Sequence, residues 1–248
     1  MQHTQPIAAY QHTAAPQRLH MIHLLLSIQS LVVILVSINR LAGLSNGFVA
    51  DNQFLRWVDL HNMLTLPLIS LIASFVLLQQ LPYESPARHG FYQRMLELSF
   101  IVGVYLLAAG YGNHELSNYL HARFCPEDRT NDLCQIIIFN DDDFSHWVFF
   151  LGFVLMNTAL LLMQALFPYH GTVQKHDWAL LIGNGLLIGL GVFANLAFEE
   201  IGLDLYVVLA LALLAAALMR RKPQPLTIYY LVAYWFGLIG TAITKLAG

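Results

Sequence analysis

The chain has 248 residues, 57% of them apolar and 11% charged, with a mean hydropathy of +0.58 and a formal net charge of −3. Soluble domains carry about 25% charged residues, so this chain lacks the polar surface needed to face water on every side, and its apolar content excludes a disordered chain. The slightly acidic balance leaves no basic footprint for nucleic acid.

Seven apolar runs are long enough to cross a bilayer core, which takes roughly 20 helical residues. They predict helices near 22–40, 62–82, 95–120, 145–168, 178–198, 202–220 and 225–246. A lipid-facing barrel would put polar residues at alternate positions, and the stretch Val207–Leu218 has none. Helices satisfy their own backbone groups in lipid, so the expected fold is an all-α integral membrane protein, a seven-transmembrane-helix bundle. Residues 1–21 form a polar-leaning N-terminal tail with Arg18, and residues 22–248 a single transmembrane domain. No cleavage motif follows the first run at signal-peptide distance, so that run reads as an uncleaved span.

The links are read in the same order. Residues 41–61 contain the turn signal Ser45-Asn46-Gly47, and the 83–94 link carries Pro86 and Arg88. Residues 121–144 form the longest expected loop, with both cysteines and an acidic run, whereas 220–224 is basic. Seven of the twelve Lys and Arg residues (Arg18, Arg88, Arg94, Lys175, Arg220, Arg221 and Lys222) fall on one side, which places the N-terminus inside and the C-terminus outside a plasma or inner membrane. The 121–144 loop then faces an oxidising compartment, where Cys125 and Cys134 are expected to pair, two inert thiols being the alternative.

The remaining polar residues collect at that outer end. His61 opens the second helix, and the third ends in His114, Glu115, Ser117, Asn118 and His121. The fourth begins Asp141-Asp142-Asp143 and His146, the fifth ends Asn195 to Glu199-Glu200, and Asp204 opens the sixth. At about 100° per residue, His114, Asn118 and His121 share one face. Asp142 or Asp143 shares a face with His146 and Asn157, and Asn184 with Asn195 and Glu199. Lipid cannot hydrogen-bond such stripes, so the three are expected to face one another inside the bundle.

Imidazoles and carboxylates at one place suit a divalent metal, zinc above all, because zinc accepts both donor types and a catalytic site uses about three protein ligands. His114, His121 and His146, with Asp143 and His61 as further donors, supply that set. Bound water at such an ion has its pKa lowered to about 7. Glu115 is then the expected general base, with Ser117 or Asn118 steadying an oxyanion. Structural polar packing and a haem, copper or proton-relay site are the alternatives. The H-E-x-x-H signature is absent, as are any Glu-x-x-His pair and a G-x-S-x-G elbow.

Ser117-x-x-x-His121 at a helix end, with aspartate at the start of the next, resembles part of the pattern of alkaline ceramidases and adiponectin-receptor-type seven-helix proteins. The resemblance implies a zinc-dependent hydrolase of a lipid or amphiphile, with the histidine as ligand and the serine and aspartate assisting. It covers fewer than about thirty residues, and the pair of histidines that the family carries on its last helix has no counterpart in Tyr229–Lys245. Membrane lipids are the expected surroundings. A membrane oxidoreductase or electron-transfer protein with His-ligated haem or copper is the second reading, and a non-enzymatic sensor or assembly factor the third.

Overall fold

The computed structural model describes residues 7–43, 45–82, 90–125, 131–198 and 202–247, with side chains from Gln17 onward. Arg88, Glu199 and Glu200 lie outside the described residues. Among the described residues the fold is all-helical and has no strand, only an isolated antiparallel bridge between Phe48 and Arg56. Helix α1 is Ile7–Leu41, α2 Trp57–Gln80, α3 Gly90–Phe124, α4 Asp132–Leu166, α5 Lys175–Phe198, α6 Leu203–Arg221 and α7 Pro225–Ala247. All seven, α1 over its stretch Gln17–Leu41, are long and apolar enough to cross a membrane. Their outer faces expose Leu98, Ile101 and Tyr105 on α3 and Leu205, Leu209 and Leu213 on α6. A multi-pass membrane bundle carries such surfaces toward lipid.

The boundaries differ from expectation mainly where α3 ends and α4 begins. Residues 132–144, read as loop, are helical, because Asn131 accepts the Cys134 N–H at 2.8 Å and Asp132 sits in the first turn, where the helix dipole favours an acid. Helix α3 runs 35 residues. At 1.5 Å per residue that is roughly 50 Å, well beyond a hydrocarbon core of about 30 Å, so the helix is longer than the apolar layer requires. Cys125 and Cys134 form the expected disulfide, with Cα atoms 5.7 Å apart and both side chains buried. It ties the end of α3 to the start of α4.

Helix α3 packs most extensively on α4, and α5 on α7; α1 lies against α2 and α5, and α6 against α7 and α4. Close backbone approach governs the first pair. A Cβ on Gly110 would fall 2.4 Å from Phe149 N and 2.7 Å from Ser145 O, and one on Gly152 would fall 2.3 Å from Leu107 N. Only residues without a side chain allow that contact, the usual means of helix association in lipid. The core between the helices is filled by Phe100, Leu160, Leu161, Met163, Leu77 and Tyr234.

The three polar stripes do not all converge. Those of α3 and α4 meet, but α5 faces α1 and α7: Asn184 Nδ2 donates to Ser27 at 3.2 Å, and Ser30 donates to Asn184 Oδ1 at 2.7 Å. Asn157 donates back to the Phe153 carbonyl of its own helix at 2.8 Å. Serines of α1 are the cheaper partner, since they lie on the helix that α5 already touches.

Candidate functional site

The site grows from the glycine contact. Gly110 brings α3 against α4 at Ser145, so the next turn of α3, with His114, stands opposite the preceding turn of α4, with Asp141. There α4 is not a regular helix. Residues Phe139–Phe144 form a π-helical turn, and α2 has a second over His61–Thr65 at the same end of the bundle. The wider turn holds more residues per revolution and carries Asp141 inward, leaving its side chain 2% exposed, while Asp142 and Asp143 stay exposed.

Asp141 lies between two imidazoles of α3. His121 Nδ1 is 2.9 Å from Oδ2, and His114 Nδ1 is 3.1 Å from Oδ1. The hydrogen bond of His114 Nδ1 goes to the Asp141 carbonyl at 3.3 Å, so Oδ1 is a buried carboxylate oxygen with no hydrogen-bond partner among the described residues. The His146 ring lies against that of His114, centroids 4.7 Å apart, with its Nδ1 2.9 Å from the Asp142 carbonyl. His121, Asp141 and Asp142 bring one ligand atom each within 4.8 Å of one another. A ring nitrogen held by a carboxylate leaves the other nitrogen as the ligand atom, the arrangement common in histidines that bind metals.

Of the residues singled out from the sequence, His114, His121 and His146 come together. Asp143 is exposed on the outer side of the π-helical turn. His61 lies apart, stacked on Trp57 with centroids 5.6 Å apart and Nδ1 3.2 Å from Thr65 Oγ1. Glu115 is buried, 5% exposed, and pairs with Arg40 of α1. Ser117 donates to the Asn113 carbonyl at 2.7 Å, and Asn118 is exposed between the two histidines of its face.

Asp141, the centre of the cluster, escapes helical counting. At 3.6 residues per turn Asp142 and Asp143 align with His146, and the π-helical turn breaks that register. The opposite face of α3 carries a second polar group. Arg56 and Arg123 both lie over the Tyr119 ring, at 5.0 and 5.7 Å, and hold the 45–58 segment against the helix. Arg56 also grips Asp59 through Nε and a terminal nitrogen, each at 2.8 Å, which raises its pKa above the ordinary guanidinium value.

No family model matches the chain, and comparison with curated proteins and with solved structures gives no match either.

Proposed function

We propose that the α3–α4 end binds a divalent metal ion, zinc by donor chemistry, and that the protein is a metal-dependent hydrolase of a lipid or amphiphilic substrate. The observation that carries this reading is Asp141: a buried carboxylate touched by two imidazoles, with one oxygen left without a hydrogen bond. A buried carboxylate is costly unless paired or bound to a cation, and nitrogen and oxygen donors from His121, Asp141 and Asp142 fit zinc. An ion held there supplies Lewis acidity at neutral pH.

The chain's own groups then have separate tasks. Asp141 fixes the ring orientation of His114 and His121. With Glu115 engaged by Arg40, the side chain placed to accept a proton beside Asp141 is His114. The exposed aromatic side chains Phe139, Phe144 and Trp147 flank the site on α4 and suit an apolar substrate that arrives from the bilayer. The Lys and Arg distribution puts this end outside and both termini as expected above, N-terminus in and C-terminus out.

A structural clasp is the competing reading, favoured by the His121–Asp141 contact at 2.9 Å, which already joins α3 to α4 without an ion. Elemental analysis of the purified protein separates the two. Bound zinc that is lost in both His121→Ala and Asp141→Asn, together with hydrolysis of ester- or amide-linked lipids, is the expected result. A wild-type protein without metal after zinc loading and dialysis leaves only the clasp. Orientation is tested on intact cells: after reduction, an impermeant thiol reagent should reach Cys125 or Cys134, and labelling only after permeabilisation reverses the topology.

A further inference from the structure

A π-helical turn is rare inside an α-helix, and the backbone groups that it displaces need partners. In a regular helix the Asn140 carbonyl would accept the N–H of Phe144, four residues on. Here it accepts that of Ser145, five residues on. Side chains supply the same stretch with further donors. Asn113 Nδ2 donates to the Asn140 carbonyl at 3.1 Å, with Asn140 Oδ1 3.4 Å away. The Asp141 carbonyl accepts from Ser145 Oγ at 2.6 Å and from His114 Nδ1 at 3.3 Å.

Two consecutive residues of α3 thus serve two consecutive carbonyls of the wide turn. Both lie one turn beyond Gly110, on the face that the glycine brings against α4. Their roles differ. His114 also touches the Asp141 carboxylate, whereas the Asn113 amide is bonded to Asn140 and to none of the candidate ligands. The wide turn of α2 has support of the same kind. Asn39 of α1 donates to the Val58 carbonyl, one turn earlier, at 3.3 Å and to Asn62 Oδ1, inside the turn, at 2.8 Å. In both places an asparagine amide from the neighbouring helix meets the irregular backbone.

We propose that Asn113 is a positioning residue: its amide holds the α4 turn in the wide form and so keeps Asp141, the next residue along, between His114 and His121. The proposal rests on reading that group as a metal site. Asn113 acts through the Asn140 carbonyl and is not itself a ligand. The neighbouring helix therefore helps to dictate a turn that the α4 sequence alone does not announce.

The test uses the full chain in lipid nanodiscs. Zinc affinity is read by chelator competition, ligand geometry by the visible absorption of the cobalt-loaded protein, and the turn by amide hydrogen exchange. Asn113→Leu and the smaller Asn113→Ala should each weaken zinc by about 10–100-fold, the range for partners that orient metal ligands from outside. Both should shift the cobalt bands and speed exchange over 139–145, leaving 150–166 unchanged. Asn140→Ala keeps the carbonyl and should bind zinc as the wild type does. Zinc affinity and cobalt bands that both Asn113 variants leave unchanged overturn the proposal while the metal site stands. A loss in Asn140→Ala as large as in Asn113→Leu also overturns it, because the Asn140 side chain would then be the partner that matters. Should the wild type bind no zinc, the metal reading falls and exchange alone decides. Faster exchange over 139–145 in Asn113→Leu then keeps Asn113 as the holder of the turn, and unchanged exchange removes it from that role too.

Discussion

Among the described residues two aspartates are each set between two histidines, one at either end of the bundle, and they do different work. At the end opposite the candidate site, Asp177 Oδ1 is 2.9 Å from His23 Nε2 and 3.2 Å from His176 Nε2. Its Oδ2 accepts the Gln174 N–H at 2.8 Å. Asp177 therefore closes the start of α5 and fastens it to α1, with both oxygens in use. Asp141 lies inside a continuous helix with no end to close. It meets its imidazoles at Nδ1 rather than Nε2, and one of its oxygens lacks a hydrogen bond. Identical residue types thus mark a helix start in one place and an open donor group in the other. The backbone around the carboxylate decides which.

The comparison can be broken most severely at Gly110. A Cβ there meets α4 backbone at 2.4 Å, so Gly110→Leu should cost more than the 1–3 kcal/mol of ordinary overpacking and abolish zinc binding. Gly183→Leu is the control, because a Cβ at Gly183 meets nothing within 4 Å. Equal melting temperatures for the two variants would show that the glycine contact does not set the site. Next in size is the disulfide. Cys125→Ser with Cys134→Ser opens a loop of nine-residue separation, with about 2–3 kcal/mol of stability lost in thermal unfolding and a weaker hold on zinc. Unchanged zinc affinity in that double variant would mean that the α3–α4 ends find their register without the cross-link.

The two aspartates themselves sharpen the contrast. Asp177→Asn should lower stability by about 1–3 kcal/mol, because His23 is left badly paired in a buried place, and keep full zinc. Asp141→Asn should do the reverse, losing zinc with a smaller drop in melting temperature. A swap of those outcomes would make Asp177 the site and Asp141 the clasp. The smallest effect is expected for Glu115→Gln. Its partner Arg40 is 42% exposed, so loss of the pair should cost no more than about 1 kcal/mol and leave zinc in place.

Much of this architecture is readable from the residues. Seven apolar runs give seven helices, the two cysteines pair, and His114 and His121, seven positions apart, do present one face to the next helix. What escapes reading depends on partners or on irregular backbone. Gly110 and Gly152 look like neutral members of apolar helices until the opposing helix is known. Glu115 looks like a spare base because Arg40 lies 75 positions earlier in the chain. Asn184 looks like part of the same stripe system, yet its bonds go to α1. Asp141 is missed for a local reason, the extra width of the turn that carries it.

That turn also makes the protein's sequence length matter more in one place than elsewhere. Deleting a single residue between 139 and 144 would let α4 close with ordinary i→i+4 bonds, leaving the flanking turns in place and re-aiming only the residues inside the wide turn. Asp141 would swing off the α3 face, while the apolar spans, the glycine contact and the basic loops would all survive. Substitutions scattered over the lipid-facing surface can accumulate among homologous chains without touching chemistry. A one-residue gap at 139–144 cannot, so the alignment column to watch when relatives are compared is an insertion or deletion, not a residue type.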